Sequence, residues 1–183
     1  TRLPSHCDQI QTPGIDQSTG SLGQGLSCAC GLAMAAKRDN KKHNVFCVIG
    51  DGESNEGQVW EAAMFASHYK LDNLIAICDY NKLQIDGFTD DVMGLEPLAD
   101  KWRAFGWEVF EIDGHDWRQI YETIQAARKV HGRPAMIIAH TIKAKGCCVI
   151  ENKPESHNVK VPSQEAYDTY VNALDREGLM LPY

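Results

Sequence analysis

The chain has 183 residues, which is enough for one domain with a sizeable buried core. Its 25 acidic and 18 basic residues give a net charge of −7, and no cluster of Lys and Arg marks a nucleic-acid surface. No apolar run is long enough to cross a membrane, and no charged-then-apolar leader indicates secretion. We therefore expect a soluble cytoplasmic protein that binds neither nucleic acid nor a lipid bilayer.

The seven cysteines form an odd set without a Cys-x-x-Cys pair, which favours a reducing compartment over a disulfide-stapled fold. Cys47 and Cys78 lie within apolar runs and are predicted to act as small core residues. The neighbouring cysteines at 28–30 and 147–148 lack the second pair or the histidine spacing that zinc requires. We expect no zinc site.

The first part of the chain contains Pro4, Pro13 and Gly14, shows little periodicity and is predicted to be irregular. A domain seldom begins with so long a loop, so we expect this sequence to lack an N-terminal portion. A glycine-rich loop then leads into a helix predicted at residues 28–37, whose small side chains favour close packing and burial. The glycines follow a loop rather than a strand, which argues against a Rossmann nicotinamide site.

Two apolar runs rich in β-branched residues dominate residues 45–87. The first ends at Gly50-Asp51-Gly52, and the second ends at Asp79-Tyr80-Asn81. Both runs are predicted to be buried parallel strands. Open α/β sheets bind ligands outside the carboxyl ends of such strands, so this edge is the predicted site.

Asp51 and Asn81 would present two hard oxygen ligands to the same crevice. A cation of the magnesium type takes one or two protein oxygens and leaves its other positions to water and phosphate. With a nearby carbonyl, the pair therefore predicts a site for a metal bound to a diphosphate. Glycines beside Asp51 let the backbone approach a ligand closely. The alternative is that both motifs are ordinary strand-to-helix turns.

Residues 56–69 place Val59, Trp60 and Ala63 at helical spacing, which predicts an amphipathic helix after the Asp51 turn. Its N-terminus would face the crevice, where the helix dipole favours an anion. Glu56 at that end would complement the dipole in the simplest interpretation.

The rest of the chain alternates helices and strands. A polar loop is predicted at 87–94, a helix at 96–104 with Pro97 in its first turn, and a strand at 107–112. The next predicted helix is capped by Asp116, ends at Gly132 and packs through a stripe of Trp117, Ile120, Tyr121, Ile124 and Ala127. A strand at 135–139, a polar loop at 151–161 and a terminal helix from Ser163 complete the prediction. The alternation predicts an α/β fold, a doubly wound and mostly parallel sheet with helices on both faces. The apolar residues 179–183 are expected to dock on a partner.

Several motifs together resemble one enzyme family. Gly50-Asp51-Gly52, with Asn81 closing the next strand, resembles the thiamine diphosphate signature of the transketolase-like enzymes. Residues 69–74 (YKLDNL) and 81–87 (NKLQIDG), with Glu53 and Glu56, are similar to transketolase itself, and the similarity runs from about residue 3 to 162. The resemblance implies the thiamine diphosphate-binding fold and a single diphosphate-binding (PP-type) domain over residues 1–183, with a terminal helix and tail at 163–183.

The resemblance also implies cofactors and roles for individual residues. The cofactors are thiamine diphosphate and Mg²⁺ (or Ca²⁺). Catalytic roles fall to His6, His157 and Glu56, cofactor contacts to Gly20, Leu22, Gly52, Asn81 and Ile85, and metal ligation to Asp51, Asn81 and the carbonyl of Leu83. By this resemblance His6 contacts the donor's hydroxyls, His157 faces its carbonyl, and Glu56 joins a proton link at a subunit interface. The alternative for each histidine is a loop residue without catalytic duty, and Asn158 stands where the family usually has glycine.

A partner is implied in the same way. Transketolases hold the cofactor between this kind of domain and a pyrimidine-binding domain, for which 183 residues leave no candidate. The chain resembles the N-terminal subunit of a split transketolase, which transfers a two-carbon ketol unit between sugar phosphates as a dimer of heterodimers. Two other interpretations stay open: a related thiamine diphosphate-dependent synthase, and a non-catalytic assembly or regulatory subunit that keeps the fold.

Overall fold

The computed structural model describes residues 4–176 of the chain. Within these residues four strands form one sheet: β1 (Val45–Gly50), β2 (Leu74–Tyr80), β3 (Glu108–Asp113) and β4 (Ala135–His140). Their order across the sheet is β1-β2-β4-β3, and every neighbouring pair is parallel. The predicted parallel α/β architecture is therefore confirmed.

Helices connect and cover these strands. The helices of the described segment are α1 (Gln24–Arg38), α2 (Gly57–His68), α3 (Thr89–Val92), α4 (Leu98–Ala104), α5 (Trp117–Ala127) and α6 (Gln164–Arg176), with 3₁₀ turns at Gly52–Asn55 and Pro154–Asn158. α3 lies in a segment predicted to be a loop; Asp90 and Asp91 occupy its first turn, where acidic residues complement the helix dipole. Pro97 is the N-cap of α4 rather than part of its first turn, because its backbone is extended with ψ at 101°.

One face of the sheet packs against α1, α2 and α4. The prediction that α1 is buried holds for one face only, because Ala33 has no exposed surface whereas Cys28, Gly31 and Ala35 are exposed. Ala63 on α2 is likewise fully buried. Trp102 on α4 is fully buried, and its ring lies 4.9 Å from that of Trp60 and 5.0 Å from that of Trp107. Burial of each large apolar side chain stabilises the fold by about 1.5–3 kcal/mol.

The opposite face of the sheet packs against α5. The stripe of this helix that contacts the sheet consists of Ile120, Ile124 and Ala127. Asp116 caps the helix as predicted, since its side chain accepts hydrogen bonds from the N–H groups of the first turn. The prediction that Trp117 and Tyr121 belong to the stripe is wrong, because both are exposed. Tyr121 lies about 100° around the helix from Ile120, and Trp117 lies in the first turn, before the packed stripe begins.

β1 is the edge strand of the described sheet and is covered on only one face. Ile49 is buried, whereas Phe46 is exposed and Val48 is 69% exposed on the other face. The prediction that both apolar runs are buried strands holds for most of β2 and is wrong for β1, because α5 packs on β3 and β4 at the far side of the sheet. Cys78 on β2 is buried and Cys47 on β1 is half-buried, so both contribute to the core as expected.

None of the helices between residues 4 and 176 is long and apolar enough to span a bilayer. α6 begins at Gln164, next to the predicted start, while the apolar residues 179–183 lie outside the described part of the chain.

Candidate functional site

Asp51 follows β1 directly and has a buried carboxylate. The residue is only 2% exposed. Its Oδ1 accepts a hydrogen bond from the N–H of Gly52 at 2.7 Å, and its Oδ2 accepts one from the N–H of Lys82 at 2.5 Å. Because Lys82 lies just beyond β2, the carboxylate joins the carboxyl ends of two neighbouring strands.

Asn81 lies beside this carboxylate at the end of β2 and is 8% exposed. Its Oδ1 accepts a hydrogen bond from the N–H of Leu83 at 2.9 Å, and its Nδ2 donates to Asp79 at 3.2 Å. The oxygens of Asp51 and Asn81 therefore contact successive backbone amides of one turn, which also carries the carbonyl of Leu83. The structure brings the three predicted metal ligands to the same turn.

The charge of Asp51 is poorly compensated in this position. Burial is the main cause that raises its pKa, and the neighbouring Asp79 carboxylate raises the pKa further. The N–H donors of Gly52 and Lys82 and the positive charge of Lys143 oppose this, but the pKa stays above its ordinary value. A cation bound beside Asp51 would stabilise the ionised carboxylate.

A side chain at Gly52 would require the side chain of Gln84 to move. A Cβ there would lie 2.8 Å from Cγ of Gln84, which packs over the turn. Nε2 of Gln84 is buried and has no hydrogen-bond partner among the described residues. Ile85, the predicted contact of the cofactor ring, is 65% exposed in the loop that joins Leu83 to Phe88.

A second group of predicted residues lies before α1. A Cβ on Gly20 would lie 2.7 Å from Cδ2 of His6, so the histidine packs directly on that glycine. Leu22 is 55% exposed, and Gly23 adopts a left-handed conformation with φ at 79° as the N-cap of α1. His6 therefore packs on Gly20 in the segment that leads into α1, and Leu22 lies two residues further along the same segment.

Glu53 connects these two groups and was given no such role from the sequence. Its Oε1 accepts a hydrogen bond from the N–H of Gly23 at 2.9 Å, and its Oε2 accepts one from the N–H of Gly50 at 3.0 Å. The first bond spans thirty residues of sequence, so only the fold reveals it. Glu53 ties the loop before α1 to the end of β1.

Glu56 is the N-cap of α2 but does not cap it through its side chain. Its carboxylate is exposed, and its Cβ lies 3.0 Å from the point where a Cβ on Gly23 would be. The side chain therefore lies beside the start of α1 and is exposed to solvent.

His157 lies in the 3₁₀ turn Pro154–Asn158, exposed, with Nδ1 at 3.3 Å from Nζ of Lys143. An ammonium group only donates hydrogen bonds, so a hydrogen bond at this contact would run from Lys143 to an unprotonated Nδ1. Lys143 also acts on the charge of Asp51, which relates His157 to the same edge of the sheet. The sequence offered one signal for Lys143, its position just after β4.

Two clefts open near these residues. One of about 390 Å³ runs along residues 17–21 and the start of α1 and includes Gly20. The other, of about 550 Å³, lies at the carboxyl ends of β3 and β4 and is lined by Glu111, His115 and His140. His115, which received no catalytic role from the sequence, accepts a hydrogen bond from the N–H of Ile142 at 2.7 Å through Nε2.

The residues at the sheet edge fit a cation that binds a diphosphate. Between residues 4 and 176, no three His, Cys, Asp or Glu side chains are grouped to hold a metal ion by themselves. Asp51, Asn81 and the carbonyl of Leu83 form an incomplete oxygen set, which suits a magnesium-type cation that takes its remaining ligands from phosphate and water. The buried, unpaired Nε2 donor of Gln84 adds a group that an anion would satisfy.

The parallel sheet and the polar residues at the carboxyl ends of β1 and β2 define the class of protein. It is a parallel α/β domain whose strand ends suit a phosphate-bearing cofactor. The chain belongs to the transketolase family, because residues 1–171 match the family model described as transketolase, thiamine diphosphate binding domain.

Individual relatives agree with this assignment. The chain is 52% identical over 178 residues to the 6-deoxy-6-sulfo-D-fructose transketolase subunit SqwG of Clostridium sp. (strain MSTE9), covering 97% of this chain and 64% of that protein. It is 45% identical to an apulose-4-phosphate transketolase subunit from Actinobacillus succinogenes, covering 97% and 63%. The solved transketolase of Campylobacter jejuni superimposes with a TM-score of 0.82 at 35% identity, covering 92% of this chain and 27% of that one. The chain thus spans somewhat under two thirds of the subunits that it resembles.

Proposed function

We propose that this chain binds thiamine diphosphate through a divalent cation and, with a pyrimidine-binding partner, transfers a two-carbon ketol unit from a ketose to an aldose. The observation that carries the proposal is the convergence of the Asp51 carboxylate and the Asn81 amide oxygen on successive backbone amides at the sheet edge. Membership of the transketolase family supports it. Two relatives are named as transketolase subunits, which supports a division of the enzyme between chains.

In this proposal the turns after β1 and β2 bind the diphosphate end of the cofactor. Asp51, Asn81 and the carbonyl of Leu83 ligate Mg²⁺ or Ca²⁺, and Gly52 lets the backbone approach the diphosphate. The bound cofactor supplies the carbanion chemistry, so the task of these residues is to hold and orient it. Neutralisation of the buried Asp51 charge then contributes to binding.

The rings of the cofactor are proposed to contact two loops, the one before α1 and the one after Leu83. Gly20 and Leu22 contact the aminopyrimidine through their backbones, and Ile85 packs on the thiazolium ring. Leu22 and Ile85 are 55% and 65% exposed, so both residues are accessible to a bound cofactor.

Two histidines act on the substrate in this proposal. His6, held against Gly20, hydrogen-bonds to hydroxyls of the donor sugar, and His157 faces its carbonyl oxygen. Histidine suits both tasks because it can donate or accept a proton near neutral pH. The Lys143 contact favours the tautomer of His157 in which Nε2 carries the proton, which makes that nitrogen a donor.

The partner surface is proposed to include the crevice and α2. Met64, Phe65 and Tyr69 are exposed at this helix, and interfaces of obligate complexes are large and comparatively apolar. Glu56 at its start joins the proton link between active sites across this interface. The assembly that follows is a dimer of heterodimers in the cytoplasm.

The proposal is tested by co-expressing the full-length chain with a candidate pyrimidine-domain chain. Native mass measurement gives the stoichiometry, and a two-carbon transfer assay is run with a panel of donors. The panel takes 6-deoxy-6-sulfofructose and apulose 4-phosphate from the names of the relatives and fructose 6-phosphate from a solved transketolase complex. We expect a donor with an anionic group at its far end to be used.

The outcomes separate the candidate functions. Transfer that needs both chains, thiamine diphosphate and a divalent cation is the expected result. A stable complex that binds the cofactor but transfers no unit from any donor of the panel would indicate a non-catalytic protein. Full activity of this chain as a monomer would contradict the division between chains.

A further inference from the structure

We propose that Asp79 and Thr141 are positioning residues that fix the side-chain amide of Asn81 with its oxygen toward the cation. The inference rests on the proposed function, since it assigns the parts of a metal site. It concerns two residues to which neither the sequence motifs nor the family assignment gives a role.

The three side chains form a hydrogen-bonded series across the sheet edge. Nδ2 of Asn81 donates to Oδ2 of Asp79 at 3.2 Å, and the hydroxyl of Thr141 donates to Oδ1 of Asp79 in a close contact. Thr141 follows β4, and its N–H donates to the carbonyl of Tyr80 at 3.1 Å. The residue that follows β4 is therefore hydrogen-bonded to the end of β2, next to the proposed metal ligand Asn81.

The orientation of the amide decides whether Asn81 binds a cation or repels it. A primary amide can rotate by half a turn with little change in shape, which exchanges an oxygen acceptor for an NH₂ donor. The ionised carboxylate of Asp79 only accepts hydrogen bonds, so it selects the NH₂ end. Oδ1 then meets the N–H of Leu83 and keeps a lone pair for a metal ion.

Asp79 is placed to support a metal ligand without being one. Each of its oxygens already accepts a hydrogen bond, one from Asn81 and one from Thr141. Its negative charge acts on Asp51, which adds to the electrostatic attraction for a cation at this edge. Residues that orient metal ligands in this way are typically worth about 10- to 100-fold in metal affinity.

Thr141 offers a matched pair of variants. Its methyl group occupies the space that a Cβ on Gly114 would need, so the methyl fills space and the hydroxyl makes the hydrogen bond. Thr141→Val keeps the shape and removes the donor, whereas Thr141→Ser keeps the donor and removes the methyl. Neither change alters the charge of the site. Asp79→Asn removes the charge but leaves an acceptor for Asn81.

The experiment measures Mn²⁺ binding by electron paramagnetic resonance, with thiamine diphosphate present, on full-length protein purified with any chain that accompanies it. We expect Thr141→Val to weaken Mn²⁺ binding about tenfold and Thr141→Ser to stay within about twofold of the natural protein. Asp79→Asn is expected to weaken binding by about tenfold or more, since it removes the carboxylate that selects the amide orientation and attracts the cation. The unfolding midpoint of the metal-free variants checks that the fold is kept.

The possible failures are distinct. Natural protein that binds no Mn²⁺ would overturn the metal assignment itself, and the positioning role with it. Natural protein that binds Mn²⁺ while Thr141→Val binds it equally well would overturn the positioning role alone. Thr141 would be assigned to packing instead if Thr141→Val lost Mn²⁺ binding together with a lowered unfolding midpoint and Thr141→Ser lost binding as well.

Discussion

Asp51→Asn separates the stability of the free protein from its stabilisation by ligand. The pKa of Asp51 is raised in the folded state, so stability that is present below about pH 4 is lost as pH rises through the folded-state pKa. Above its folded-state pKa the ionised, buried carboxylate therefore opposes folding until a cation neutralises it. The substitution removes that charge while keeping the shape.

Two terms of similar size act on the free variant. The new amide leaves one of the two N–H donors, of Gly52 or Lys82, without an acceptor, which costs about 1–3 kcal/mol. Removal of the poorly compensated buried charge acts in the opposite direction and offsets this cost. We expect the free energy of unfolding of the ligand-free protein to change by less than about 1–2 kcal/mol.

The ligand-bound state should respond very differently. Thiamine diphosphate with Mg²⁺ at 100 times its dissociation constant stabilises the natural protein by about 2.7 kcal/mol. For a unit of this size that unfolds independently within the assembly, this raises the unfolding midpoint by about 5–11 °C. Asp51→Asn should lose this rise, and Asp90→Asn, an exposed change of the same kind, should keep it. A thermal scan of the assembled protein measures both; an undiminished rise in Asp51→Asn would refute the reasoning.

Three further changes have definite expected outcomes. Glu53→Ala removes the acceptor of two backbone N–H groups and should lower the free energy of unfolding by about 2 kcal/mol in a denaturant titration, against less than about 0.5 kcal/mol for the exposed Glu61→Ala. His6→Ala should reduce donor turnover by about a hundredfold or more with little change in cofactor affinity, and unchanged kinetics would leave His6 without catalytic duty. An alkylating reagent at about pH 8 should label Cys148 but not Cys78, whose pKa is raised by burial; labelling of Cys78 in the folded protein would contradict its placement.

The ends of β1 and β2 were predictable because strong local signals coincide there. Each β-branched run stops at a short polar motif, and the carboxyl ends of parallel strands meet at one edge. Asp51 and Asn81 therefore came together as predicted. The order β1-β2-β4-β3 was not predictable, since an apolar run does not show which strand pairs with it.

The roles of residues whose hydrogen-bond partners lie far away in the sequence could not be predicted from the sequence. Glu53 meets Gly23 across thirty residues, and Thr141 meets Asp79 across sixty-two. Asp79 carried a usable signal, because residues two apart in a strand point to the same face and Asp79 lies two before Asn81. Glu53 and Thr141 carried no signal of this kind in the sequence alone.

The prediction that β1 is buried on both faces was wrong for a different reason. Val48 belongs to an apolar run like that of β2, but burial depends on what covers each face, and no described helix packs over that side of the edge strand. Periodicity likewise identified the packed stripe of α5 without showing where it ends, which is why Trp117 was misplaced.

Calorimetric titration of thiamine diphosphate into the assembled protein tests the central claim most directly. With Mg²⁺ present the account predicts saturable binding with one cofactor per copy of this chain, and with EDTA it predicts loss of that binding, because the Asp51 carboxylate then faces the diphosphate without a bridging cation. Equal affinity in Mg²⁺ and in EDTA would contradict the account.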